Sequence, residues 1–489
     1  MNKLFVILFF LIIGNWTKLF SQTIESAEIP LIKNRNIKFL GESDGKAYFY
    51  GNEIHKNIIM LTIYKFNPKN LELIDTNVVF IKEFAPKVFN NNTGKCKVEA
   101  IYKNNKFYFF YSLIQAHDYY IYLKTFDESL TNEKTIELGT IVETGYEYKG
   151  NFFVTINPNC KNALVILKNF CERKKAVGSN TEIYEKTELI NYDLINNKTV
   201  FTKNIPIDLG EYRLKTEQYK FDNEGNISCM ASTAERQGQY DVIHSLAVGY
   251  LEKNSEKITF MNVDLTGIVT LSASFKQLIN GDLLYIIASE KSITIKYICP
   301  KDQTKNFVKQ ISSASFQNVK KEFHVSDISE ASNGFYLTLK SNRYNNYGFS
   351  SFKEYGVAYI SKVGELLWSK SFQLIAPLFY DPITDFYSSS VVKDNKLHFF
   401  YLENKPYEMT NKIQKQVKEE ITNAVYDLRK FNTIESTVDE KGAITKKVIC
   451  DNETYELNPN LDEKITIGES VYFPTIFKKN FQIKKVVLK

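Results

Sequence analysis

Arginine is scarce in this 489-residue chain, six against 56 lysines, and tryptophan is scarcer, with two. The six cysteines (Cys96, Cys160, Cys171, Cys229, Cys299 and Cys450) form no CxxC pair, so neither a zinc ribbon nor a thioredoxin-like redox site is suggested. There is no HExxH, nucleophile elbow, P-loop or GxGxxG in a strand–helix setting. Chemistries that announce themselves locally are therefore not written in the chain. Lysines and glutamates are interspersed and the formal charge is only +6, which points away from a nucleic-acid partner. Beyond residue 21 no apolar run approaches membrane length, so no membrane span is expected in the remainder.

The N-terminus reads as an export signal. Lys3 supplies the positive start, Leu4 to Ile13 is an unbroken apolar run, and "KLFSQ" offers Ser21 before Gln22. This is the layout of a cleavable leader over residues 1–21, with cleavage expected at Ser21–Gln22 and an uncleaved anchor as the alternative. No cysteine follows the run, so no lipid anchor is expected. The mature chain, 22–489, is expected to be an exported monomer in the periplasm or outside the cell. Removal of Lys3 and Lys18 with the leader leaves it at +4. With 44% hydrophobic residues, 36 Phe and 31 Tyr, it has the means to pack a core. Export permits disulfides, but several cysteines sit within strand-like apolar runs, where a buried thiol is the expected state.

One pattern recurs along the chain. "SSSVVKDNKLHFFYLEN" (388–404) is a polar tip between apolar strands, and "LGESDGKAYFY", "IYKNNKFYFFY", "INPNCKNALVIL", "FDNEGNISCMA", "LINGDLLYIIA" and "SEASNGFYLTL" repeat its shape. Gly, Asn and Asp suit such tips because they accept positive φ at little cost. One tip residue per copy (Gly45, Asn105, Asn162, Gly225, Gly281, Gly334 and Asn395) gives spacings of 53 to 63 residues. A second hairpin follows each tip, as in "IYKFNPKNLELID" and "VAYISKVGELLWSKSF". Two hairpins per period make a four-stranded antiparallel blade.

On these repeats the mature chain resembles the β-propeller superfamily in architecture. The resemblance implies an all-β ring of seven four-stranded blades over one domain, 22–489, with eight blades as the alternative. Residues 439–489, which include "KITIGESVYF" and "FQIKKVVLK", exceed seven periods and are expected to complete the last blade or fasten the ring near the mature N-terminus. No named propeller family fits. Trp368 is the only tryptophan after the leader, no Gly-Gly pair occurs, and "SDG" at 43–45 lacks Asp-box spacing.

In a ring of this kind a ligand meets the end formed by the loops between strands two and three and between blades. Four of the six arginines fall in such stretches, and Arg grips carboxylates and phosphates in a planar, bidentate way. "AERQGQYD" and "SNRYNNYGFSSFKEYG" add aromatic and amide groups. Arg236, Tyr240, Arg343, Tyr344 and Tyr347 are therefore the candidate ligand-binding residues. His55, His117, His244 and His324 are scattered without metal-ligand spacing, His398 reads as a packed histidine, and no metal or cofactor is expected. "TNKIQKQVKEEI" (410–421) spaces Ile413, Val417 and Ile421 as a helix would. The favoured function is a non-catalytic binding scaffold for a protein or glycan. The alternative is a glycan-directed hydrolase or lyase with its site at the channel mouth, where acid and base from different blades would leave no local signature.

Overall fold

Asp44 and Gly45, Asn104 and Asn105, Gly225, Gly281, and Asp394 and Asn395 all take positive φ, so these tips reverse the chain by the backbone state their residues favour. In the third copy Cys160, not Asn162, takes that state. Gly334 is needed for a different reason: a Cβ there would lie 2.2 Å from the Ile360 carbonyl oxygen on the neighbouring strand. The computed structural model describes residues 25–30, 37–55, 58–81, 98–115, 118–141, 151–157, 159–174, 181–206, 213–237, 240–255, 258–263, 270–278, 280–289, 292–312, 315–316, 323–344, 350–373, 388–404, 431–451, 464–477 and 480–488. Residues 1–21, expected as a leader, and the 410–421 segment lie outside them. No described helix is long and apolar enough to cross a membrane.

The strands form a β-propeller of eight four-stranded antiparallel blades, numbered 1 to 8 along the chain. The innermost strands are Ile37–Ser43, Val98–Lys103, Asn151–Ile156, Arg213–Phe221, Thr270–Gln277, Phe323–Glu330, Ser388–Lys393 and Ile465–Ile467. In every blade but the fifth a longer second strand follows, for instance Gly334–Tyr344 in blade 6 and Lys396–Asn404 in blade 7. Blades 4 and 5 are further joined by one pairing, Ile243 with Thr270.

The expectation of seven blades is corrected to eight. "TIGESVYF" is an eighth copy of the tip, with Gly468 at positive φ. Its second hairpin cannot be found downstream because it is divided between the two ends of the chain. The C-terminal segment supplies three strands of blade 8, and Glu25–Pro30 pairs with Asn480–Val487 as the fourth. That pairing closes the ring and covers the backbone edge of the C-terminal strand.

Eight apolar clusters hold the ring together, one at each junction between successive blades, including blade 8 against blade 1 through Ile465, Tyr472, Ile37 and Phe49. Second strands are buried on both faces, as Leu283–Ser289 is throughout, whereas the outermost strand of blade 1 is mostly exposed. At four junctions a second-strand tyrosine adds a hydrogen bond to the next blade. Tyr48 donates to Glu128, Tyr108 to the Leu194 carbonyl at 2.6 Å, Tyr336 to the Asn395 carbonyl at 2.7 Å and Tyr472 to the Pro68 carbonyl at 2.7 Å. In blade 7 the same place holds His398, which is buried beside Glu435 with Nδ1 and Oε1 2.7 Å apart. It is the packed histidine its apolar run suggests. Cys229 and Cys299 are buried free thiols, and Cys160 is half-buried.

Candidate functional site

The innermost strands have one unpaired edge facing the axis of the ring, and polar side chains along them define the channel. The inner strands of blades 1, 4, 5 and 6 each break register once, the signature of a bulge that re-aims neighbouring side chains. Lys38 and Glu99 face each other across blades 1 and 2 at 3.9 Å. Lys220 of blade 4 is held below the usual lysine range, first by burial and then by the nearby Lys276 ammonium, with Asp327 acting in the opposite sense.

Between blades 6 and 7 these strands enclose a cavity of about 170 Å³ lined by Ser326, Asp327, Thr338, Ser388, Ser389, Ser390, Phe399 and Lys464. Its geometry follows from register. Asp327 lies directly opposite Thr338, so both project from one face of blade 6. Ser390 lies directly opposite Phe399 on blade 7. The two faces meet where Ser390 Oγ donates to Asp327 Oδ2 at 2.7 Å. The same carboxylate accepts from Ser329 Oγ at 3.3 Å and from the Ile328 N–H at 2.8 Å. Lys464, just before the inner strand of blade 8, donates from Nζ to the Ser390 carbonyl. Ser326 Oγ donates to the Thr338 carbonyl at 3.0 Å. The hydroxyls of Thr338 and Ser389, residues only 3% and 7% exposed, have no hydrogen-bond partner. Among the described residues no cluster of three or more His, Cys, Asp or Glu side chains could hold a metal.

The candidate residues named from sequence fall elsewhere. Arg236 and Tyr240 are strand residues of blade 4, where Gln237 pairs with Tyr240. Arg343 and Tyr344 are strand residues of blade 6, paired with Phe352 and Ser350. Strands two and three run further than the hydrophobic pattern suggests, so these positions are hairpin ends and not open loop. Tyr347 lies outside the described residues. Both hairpins close at the same end of the ring, but blade 5 separates them, and neither contributes to the cavity. Sequence reading missed the cavity because its residues are common ones. The available signal was three consecutive serines, Ser388 to Ser390, in an inner-strand position.

No family model and no curated protein matches the chain. Among solved structures, a polysaccharide lyase is similar over 77% of this chain and 88% of its own, at 9% identity and a TM-score of 0.39. The β-propeller domain of the trilobed protease from Pyrococcus furiosus is similar over 86% and 99%, at 10% identity and a TM-score of 0.38. An acylaminoacyl peptidase from Pyrococcus horikoshii is similar over 94% of this chain, at 11% identity and a TM-score of 0.35, and this chain spans 59% of that peptidase. These likenesses concern the arrangement of strands alone. The class defined by fold and topology is the β-propeller, here with eight blades and a closing strand from the N-terminal end.

Proposed function

We propose that this protein is an exported binding propeller that engages a protein or glycan without transforming it. The observation that carries this reading is the placement of Arg236 and Tyr240 in blade 4, and of Arg343 and Tyr344 in blade 6, at hairpin ends on one end of the ring. Arg and Tyr are favoured interface anchors because they combine apolar area with directed hydrogen bonds. The test compares wild type with an Arg236→Ala/Arg343→Ala/Tyr344→Ala variant on arrayed glycans and on purified envelope proteins. A ligand bound by wild type and lost by the variant supports the reading, and equal binding by both refutes this location. Export is tested by the intact mass of the secreted chain, which is expected to begin at Gln22.

One observation favours a second reading, a glycan-directed hydrolase or lyase. Burial and Lys276 lower the pKa of Lys220 within the channel, and a lysine so perturbed is a candidate general base. Turnover on a polysaccharide panel that is abolished by Lys220→Met would establish the enzyme reading in place of the scaffold.

A further inference from the structure

The cavity between blades 6 and 7 arises from a local exception to the pattern that fills the other junctions. Thr338 sits two residues beyond the tyrosine at the blade junction. The corresponding positions in blades 1 to 5 and 7 are Tyr50, Phe110, Ile166, Met230, Ile286 and Phe400, all buried. Across the junction, Ser390 pairs with Phe399. The residues in that register in blades 1 to 6 are Phe39, Ala100, Val154, Tyr219, Phe275 and Ile328. Among the positions compared, only at this junction do hydroxyl side chains replace apolar ones on both faces. Protein interiors are close-packed and such gaps are costly, and the Thr338 hydroxyl is buried in this one without a partner. An occupant of the cavity can supply the hydrogen bond that this hydroxyl lacks.

The lining also selects the chemistry of its occupant. Asp327 offers only acceptors, Lys464 only donors, and the hydroxyls of Thr338, Ser388 and Ser389 offer both. A simple anion would meet the Asp327 carboxylate and a simple cation would meet the Lys464 ammonium. A neutral polyol satisfies all of them, since each of its hydroxyls donates and accepts. One water-sized centre needs about 10–15 Å³, so the cavity has room for on the order of ten, about the heavy atoms of one sugar ring. Phe399 lines the same space and gives an apolar surface for ring C–H groups.

We propose that the blade 6–blade 7 cavity, built on Asp327, Thr338, Ser390 and Lys464, is a binding site for a single neutral sugar ring or a comparable polyol. The proposal adds a second site to the binding reading above and uses none of its rim residues, so the two fail separately. The experiment is ligand-observed saturation-transfer NMR on the full mature chain. The probes are neutral aldohexoses, 6-deoxyhexoses and pentoses, with glucuronate and inorganic sulfate alongside. At least one neutral sugar is expected to receive saturation. Thr338→Ile, which installs the kind of residue the other junctions use, is expected to abolish that signal while the thermal midpoint stays level or rises. Thr338→Val keeps the shape, removes the hydroxyl and is expected to weaken binding by about tenfold; it serves if the isoleucine does not fold. The triple rim variant is expected to bind the sugar as wild type does. The proposal is overturned if no neutral sugar binds, if glucuronate or sulfate binds in preference, or if the Thr338 variants bind unchanged.

Discussion

Tyr48, Lys46 and Lys65, all from blade 1, converge on the Glu128 carboxylate of blade 2 at 2.8, 3.1 and 3.2 Å. The hydrogen bonds from Tyr48 and Lys46 lead in bringing Glu128 from an ordinary 4.5 down to about 2. Because the folded-state pKa is depressed, the stabilisation is complete above pH 4.5 and is lost as pH falls from there toward about 2. Asp127, held at about 2 by the hydroxyls of Ser129 and Thr131, titrates in the same window. The thermal midpoint is therefore expected to fall between pH 4.5 and 2, and Glu128→Gln should flatten part of that slope. Tyr48→Phe removes one hydrogen bond to a charged group and should cost about 2 kcal/mol at pH 7 in a denaturant titration. A variant as stable as wild type would show that the tie adds nothing to the apolar junction around it.

Inner strands of successive blades approach closely at the axis. Gly41, beside the register break in the inner strand of blade 1, has φ +152, and a Cβ added there would lie 2.2 Å from the Tyr102 carbonyl oxygen of blade 2. Backbone against backbone leaves no flexible side chain to yield. Gly41→Ala is therefore expected to destabilise the protein by about 2 kcal/mol or more, read as a lower denaturation midpoint. Gly45, at a hairpin tip with nothing within 4 Å of its would-be Cβ, carries only the cost of positive φ, and Gly45→Asn should be nearly neutral. The contrast separates glycines kept for conformation from those kept for proximity.

For the molecule as a whole, closure depends on six residues. Glu25–Pro30 pairs along its full length with Asn480–Val487, so deleting residues 25–30 would leave blade 8 with three strands and an exposed edge. The expected outcome is a lower thermal midpoint and concentration-dependent self-association by light scattering, since an unpaired edge templates pairing with another chain. A monodisperse deletion variant with an unchanged midpoint would mean that the apolar junction between blades 8 and 1 holds the ring without the strand.

The sequence by itself determined the repeating unit. Turn chemistry at Gly45, Asn105, Gly225, Gly281 and Asn395 is local, and alternation within a strand needs no partner to be visible, so the blades and the packed state of His398 were legible without coordinates. Blade number was not, because the second hairpin of blade 8 joins residues 25–30 to residues 480–487, and no periodicity along the chain reports a pairing between its ends. The cavity was hidden for the same reason. Thr338 and Ser390 are unremarkable residues some fifty positions apart, and only the meeting of two blades makes them opposite walls of one space. The rim candidates were found by residue type, but their distribution over blades 4 and 6 with blade 5 between them was decided by the ring. Local backbone preference is written residue by residue, whereas a site assembled from several blades exists only once the sheets have packed.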